Sequence, residues 1–533
     1  QMGKLTTDIV WMVEQTVTLP DGSKRRVLVP KVYLALNALD LKGDGTIIAA
    51  KNNFLTVKND VNNNGGTIAA FNTMNMSAHT INNIGGTIGG NRESDITVHT
   101  TEDFNNIGGK VRGGNVILDI GRDFNNITTT RTSSTGDMSN PLQRGYASTR
   151  TTIDQVASIQ ALDGDRTKTY TDEDGKEQTY IQKALTIKTG GDANFQGAAV
   201  SSEGSTLVDS TNINITTVDT GFAENATYSW TNKNKRRTER SDTLEVGSDF
   251  SSTGNTTLIA KNNIHIRGSN AVADGDMTML GNTIDIESGR ATHDSYDETY
   301  TKKKGFLSSK TNHSVNSDHA DVSIGSTIIG NTTTLISDKD TNIKGSTVFG
   351  TEGVDIASIN GNVNIGASED HFNETHYNKT TKSGFGALGG FSFGKMSNEQ
   401  GMAGDKVGHT GSTVGSLNGN VNIQATKGTL SVSGSDVNTL NGDVNMLANK
   451  VAITDVQNTA TEDSYSKFKS TGLSVSVSSP IIDAVQSAET IADQAGKAEG
   501  GTQLGAVAVS GGLAGYNAYR DLKAVGNNIV DLG

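Results

Sequence analysis

Three stretches carry residue types that could hold a metal or a cofactor. His371, Glu374 and His376 offer two imidazoles and a carboxylate, the donor types of a divalent metal centre, although the spacing is not that of a zinc helix. Asp163, Asp165 and Thr167 begin like a calcium loop. Such a loop needs a glycine at its sixth position and oxygen ligands around it; Lys168 stands there, and Arg166 adds a second positive charge. Gly384-Phe385-Gly386-Ala387-Leu388-Gly389 matches the dinucleotide fingerprint by letter. That fingerprint works only between a buried strand and a helix, and Lys379-Thr380-Thr381-Lys382 is no buried strand. No Gly-x-Ser-x-Gly elbow occurs, and the absence of cysteine removes disulfides and thiolate ligands. The sequence therefore assigns no catalytic residue, no cofactor and no metal site, and it reads as non-enzymatic.

A second kind of chemistry recurs four times. Polar excursions open with an acid and an aromatic: Glu224 to Tyr228, Asp294 to Tyr296, Glu369-Asp370-His371-Phe372 and Glu462-Asp463-Ser464-Tyr465. Each then turns basic, at Lys233, Lys235, Arg236 and Arg237; at Lys302, Lys303 and Lys304; at Lys379 and Lys382; and at Lys467 and Lys469. The net charge of −13 argues against nucleic acid, which needs a basic footprint. Against that acidic background, repeated basic clusters suit an anionic surface such as lipopolysaccharide. Solvated hairpins are the plainer reading. The candidate contact residues are Lys233, Lys235, Arg236, Arg237, Lys302, Lys303, Lys304, Lys379 and Lys382.

The elements that carry these clusters are repetitive. The words Asn62-Asn63-Asn64-Gly65-Gly66, Asn82-Asn83-Ile84-Gly85-Gly86, Asn105-Asn106-Ile107-Gly108-Gly109 and Asn125-Asn126-Ile127 recur at steps of 20, 23 and 20 residues. Short alternating strands lie between them: Leu55/Val57, Met74/Met76, Ile96/Val98 and Val116/Leu118/Ile120. A coil of this size cannot bury its apolar residues alone, and stacked coils share one core. The spacing predicts an all-β, right-handed parallel β-helix of roughly 12–18 coils, roughly 60–90 Å long. Asn62, Asn82, Asn105 and Asn125 are expected to stack as a corner ladder, with Gly65, Gly85 and Gly108 supplying positive φ at the corners. Ile359-Asn360-Gly361-Asn362-Val363-Asn364-Ile365 and its copies at 417–423 and 440–446 mark a longer repeat.

Composition agrees. The chain has 533 residues, 62 glycines and 4 prolines, with 33% hydrophobic, 5% aromatic and 19% charged residues. That is poor in aromatics for an enzyme and poor in charge and proline for a disordered chain. The prolines at 20, 30, 141 and 480 lie outside the repeats, as strand ladders require. The expected organisation is a capping hairpin at 1–34, a β-helix of short coils at 35–130 and a polar insertion with a hairpin at 131–185. A β-helix of four long repeats with excursions follows at 186–480, then a Gly/Ala-rich helical segment at 481–533, opened by Ser479 as N-cap and Pro480. Gln1 is not an initiator, so the sequence reads as an internal piece leading toward an absent C-terminal domain.

The Ile9-Val10-Trp11-Met12-Val13 opening, the Val27 to Leu34 strand, the Asn-Asn-x-Gly-Gly coils and the four long repeats resemble the filamentous haemagglutinin-type exoproteins. The four long repeats look like the haemagglutinin repeats in the distal half of contact-dependent growth-inhibition effectors of the CdiA type. The resemblance covers roughly residues 5–480. It implies a secreted filament on the bacterial surface, exported by an outer-membrane two-partner secretion transporter. It also implies partners in a target-cell outer membrane or receptor and in the rest of the same polypeptide, with contact-dependent delivery of a C-terminal toxin. This sequence lacks the family's amino-terminal secretion domain, its Val-Glu-Asn-Asn boundary word and any toxin domain. A structural adhesin filament without a toxin is the alternative.

Overall fold

The computed structural model describes residues 9–18, 24–33, 45–138, 144–172, 174–231, 234–388 and 392–474. The expected helix at 481–533 lies outside these residues. Strands Ile9–Thr18 and Lys24–Tyr33 pair antiparallel, Ile9 opposite Tyr33 and Thr18 opposite Lys24, in a unit of their own.

The larger unit is a parallel β-helix. Each coil contributes a strand to each of three ladders. One ladder runs through Thr80–Ile84, Phe104–Ile107 and Phe124–Ile127. The second runs through Thr87–Gly89, Lys110–Gly113 and Ser158–Ala161. The third runs through Asp95–Thr100, Asn115–Ile120 and Leu185–Thr189. Among the described residues eleven successive parallel pairings link twelve strands in each ladder. Twelve coils spaced about 4.8 Å apart span about 53 Å. Twelve is the lower end of the expected range of roughly 12–18 coils.

Alternation explains the core. Inward positions of successive coils stack in columns such as Ile68, Ile88 and Val111 or Val98, Leu118 and Ile187, and Ile88, Val111, Val98, Leu118 and Ile187 are fully buried. Phe104, Phe124 and Phe195 stack with centroids 5.4 and 5.8 Å apart. The expected corner glycines Gly65, Gly85 and Gly108 have φ of 70°, 62° and 59°. The second glycine of each pair does different work. A Cβ on Gly86 would meet Asn63 Nδ2 at 2.3 Å and Asn83 Oδ1 at 2.6 Å, so that position must be bare to let a buried amide pass.

The stretch expected as one polar insertion at 131–185 divides in two. Strands Thr129–Thr135 and Gly145–Gln155 form a first hairpin. Residues Ser158–Ala161 then return to the solenoid, and Arg166–Thr171 with Glu177–Gln182 form a second hairpin at a different corner. Ile159 and Ala161 are the apolar signal of that return; both are buried.

The excursions themselves build a second sheet. Three further hairpins leave the same corner: Val218–Thr231 with Asn234–Val246, Gly289–Gly305 with Ser308–Ile324, and Ser368–Phe385 with Ser392–Thr410. Each pairs antiparallel with the next. With Thr129–Thr135, Gly145–Gln155 and Thr459–Ser474 they make one nine-stranded antiparallel sheet. Geometry makes this possible. A hairpin leaves every second coil, and two coils rise by the width of two paired strands, about 9.6 Å. The hairpins therefore meet edge to edge. The intervening coils turn the corner at Gly197, Gly268, Gly345 and Gly434, all with φ between 50° and 56°. A Cβ on Gly434 would lie 2.1 Å from Val456, which begins the next excursion, so each bare corner seats the root above it.

Candidate functional site

The hairpin sheet has acidic residues near its roots and basic ones toward its tips. The roots are pinned to the solenoid. Arg267 donates to Glu245 at 2.8 Å and to Glu287 at 3.0 Å. Hydrogen bonds from His265 and then Arg267 outweigh burial and hold Glu287 down to about 2. Asp370, nearly buried, accepts from Ser323 N at 2.7 Å and from Thr410 Oγ1 at 2.6 Å.

Midway along the strands the aromatic residues form a lattice with the charges. Strand alternation places Tyr296, Tyr300, His313, Tyr377 and Tyr465 on one face. His313 meets Tyr300 and Tyr377 edge-on at 5.9 and 5.5 Å, and its Nε2 lies 2.9 Å from Glu298. Arg237 lies over the Tyr296 ring at 4.9 Å and pairs with Glu239. Lys379 donates to Glu399 at 2.7 Å, a contact that raises the ammonium's pKa and lowers the carboxyl's. Tyr465 covers bare Gly401, where a Cβ would come within 2.4 Å of its ring. On the other face Arg236 pairs with Asp297 at 2.6 Å.

The basic candidates therefore separate. Arg236, Arg237 and Lys379 are spent on pairs within the sheet. Lys233 lies outside the described residues. Lys235, Lys302, Lys303, Lys304 and Lys382 have no ion pair among the described residues. The last four gather toward the distal end. There Lys303 stands opposite Lys310, and Lys310 opposite Lys382, a row of like charges on three adjacent strands. Lys310, Lys395 and Lys469 join this end by register; sequence reading had not included Lys310 or Lys395.

The asparagines form two columns. Asn82 donates to Asn62 at 2.8 Å, Asn105 to Asn82 at 2.9 Å and Asn125 to Asn105 at 2.8 Å. This column faces outward from mid-strand rather than from a corner. A second column, absent from the sequence reading, is buried: Asn63, Asn83 and Asn106 each donate at 2.7 Å to the amide one coil on, ending at Asn126. The signal was available. Val61, Ile81, Phe104 and Phe124 must point inward, and the residue two places on shares their face.

The metal and cofactor motifs are dispersed. Alternation puts His371 on the face opposite Glu374 and His376; its Nε2 faces Glu369 at 3.7 Å. Asp318 replaces it, with donor atoms of Asp318, Glu374 and His376 all within 4.8 Å of one another, but Asp318 and Glu374 are exposed and Asn316 and Ser295 already bond the group. Asp163 pairs with Arg166 at 2.8 Å, and Asp165 accepts from Ala184 N and Ser205 N at 2.9 and 2.7 Å. The literal dinucleotide word falls at a hairpin tip, where the next described element is the strand Ser392–Thr410.

Comparison with known proteins gives a consistent result. The chain matches the Hemagglutinin repeat family over residues 79–229, 228–384, 307–467 and 391–528. It is 29% identical over 210 residues to a tRNA nuclease CdiA of Escherichia coli O6:K15:H31, covering 38% of this chain and 6% of that protein. It is 27% identical over 256 residues to a 16S rRNA endonuclease CdiA of Enterobacter cloacae, covering 47% and 8%. It is 28% identical over 325 residues to a tRNA nuclease CdiA-2 of Burkholderia pseudomallei, covering 57% and 10%. The matched stretch is thus a small part of each relative's length. No solved structure matches the chain.

Proposed function

Because this chain belongs to the Hemagglutinin repeat family, we propose that it is a filament segment which supports contact-dependent delivery of a toxin carried elsewhere on its parent exoprotein. The coarser part, a repeat segment of a secreted, cell-surface CdiA-like exoprotein, follows from the family and its relatives. Export by a two-partner secretion transporter belongs to the same reading. Nuclease activity is named for those relatives, and the region shared with them is repeat. A solenoid with a satisfied apolar core suits a structural part.

The observation that carries the reading is the nine-stranded hairpin sheet. A filament meant only to span distance needs a solenoid. Here, from Thr129 onward, every second coil extends a hairpin, and lysines with no ion pair among the described residues collect at the tips. Lys302, Lys303, Lys304 and Lys382 are the residues to contact an anionic target surface, with lipopolysaccharide the natural bacterial candidate. Salt should weaken that contact, and several tips should act together. The test removes the hairpin residues 220–244, 291–322 and 370–408 from the parent exoprotein and leaves the coils between them, keeps surface display verified by antibody labelling, and measures inhibition of susceptible neighbours in co-culture. Delivery unchanged by the deletion rejects the proposal. The adhesin alternative is separated by the coding sequence after Gly533: a variable toxin domain followed by a small immunity gene favours delivery.

A further inference from the structure

The distal edge of the hairpin sheet places apolar groups where a soluble sheet would place polar ones. The two-residue turn between Gly289–Gly305 and Ser308–Ile324 consists of Phe306 and Leu307, which are 95% and 65% exposed. Leu307 has φ of 62°, the one positive-φ residue other than glycine among the described residues. That conformation is strained for a branched side chain, and turns that need it normally use Gly, Asn or Asp. The chain thus holds a leucine against both solvent and backbone preference, which points to a role for it. In the neighbouring strands Phe385 lies opposite Phe393, and Phe393 opposite Leu473. Phe393 and Leu473 are 64% and 86% exposed.

Immediately behind this apolar edge lies the lysine row Lys303, Lys310 and Lys382. Like charges directly opposite one another on neighbouring strands are destabilising. No carboxylate among the described residues pairs with any of the three. Lys382 precedes Phe385 by three residues, about 10 Å along a strand. An interfacial group seats its apolar face roughly 5–10 Å into the boundary between headgroups and acyl chains, while lysines remain level with anionic headgroups.

We infer that the distal end of this sheet is a wedge for an anionic lipid surface, in which Phe306, Leu307, Phe393 and Leu473 enter beneath phosphate-bearing headgroups that the row Lys303, Lys310 and Lys382 contacts. The inference rests on the surface-contact reading above and names the partner class. An anionic polysaccharide would satisfy the lysines and leave the apolar edge in water, so lipid is the partner that uses both features.

The test uses the full chain with vesicles of phosphatidylethanolamine and phosphatidylglycerol, and a dextran sulfate resin as an anion without acyl chains. One variant carries Phe306→Ser, Leu307→Gly, Phe393→Ser and Leu473→Ser; the other carries Lys303→Gln, Lys310→Gln and Lys382→Gln. Folding is checked by circular dichroism and protease pattern. The apolar variant is expected to lose at least tenfold in vesicle binding and keep its retention on dextran sulfate. The lysine variant is expected to lose both, about fivefold per lysine for vesicles. Leu307→Gly alone should raise the urea midpoint while weakening vesicle binding, which a purely structural turn residue would not do. A Phe306→Trp chain should shift its emission to the blue on adding vesicles. Vesicle binding by the apolar variant within twofold of the parent, or none by the parent, overturns the wedge. Unchanged dextran sulfate retention by the lysine variant overturns the surface-contact reading instead.

Discussion

Asn83 is a fully buried amide, bonded to its own coil and to the coils on either side. Its Nδ2 donates to Gly86 O at 3.0 Å and to Asn106 Oδ1 at 2.7 Å, and its Oδ1 accepts from Asn63 at 2.7 Å. Asn83→Ala leaves Gly86 O and Asn106 Oδ1 without those donors in a dry site, so it should cost about 2–3 kcal/mol. Asn82→Ala, on the outward column where water can substitute, should cost under about 1 kcal/mol. Urea denaturation of both variants checks the ranking, and equal costs would place the two columns in the same environment. Glu287 tests the charged counterpart. Its carboxyl is held near 2 in the fold and returns to the ordinary carboxylate range when unfolded. A depressed carboxyl stabilises above its unfolded pKa and loses that contribution as pH falls toward the folded value. The urea midpoint of the parent should therefore fall between about pH 5 and pH 2 by more than that of Glu287→Gln. The partial exposure of the group, 38%, keeps the difference modest. Parallel pH profiles would remove the His265 and Arg267 contacts from any role in stability.

At the level of elements, the coil was legible and the sheet was not. Ile88, Val98 and Phe104 repeat at one period because stacking demands the same residue type at the same place in each coil. The hairpin strands pair with partners far along the chain, as Asp318 with Glu374, and expose polar residues on both faces, so they carry no alternating apolar signal to fix a register. The excursions could be seen as hairpins and not as neighbours. What joins them is a number, two strands for two coils, together with the bare corners between roots. Removing residues 291–322 and closing the corner with a glycine should leave the solenoid ladders intact and separate the hairpins on either side by about 9.6 Å. Hydrogen exchange should then quicken along 235–244 and 371–384, which lose their partner strands, while 256–287 and 341–366 stay protected. Retained protection in the two orphaned strands would mean that the hairpins are stable without lateral pairing.

The twelve coils behave as a quasi-one-dimensional stack, because each coil touches mainly the coils above and below. Damage should then be local, unlike damage to a globular core. Ile88 supplies the test. It is fully buried and stands between Ile68 and Val111 in one column. Ile88→Asp buries a carboxylate among aliphatic side chains with no partner, a substitution no nearby group can offset. Its coil should open, and the neighbouring coils should lose the apolar surface that coil covered. The hairpin sheet reaches these coils only at its first root, where Gln155 lies over the corner glycines Gly85 and Gly108, and its other hairpins rise from later coils. Limited proteolysis should therefore show new cleavage within residues 60–130, while fragments spanning 256–366 persist, clasped both by their own ladders and by the hairpin sheet. Loss of protection throughout the chain would mean that the solenoid unfolds as one cooperative body, and unchanged protection at 60–130 would mean that Ile88 does not face the core. The expected middle outcome follows from architecture alone: cooperativity in a stacked fold decays with distance along the axis, and the hairpin sheet restores it where it is present.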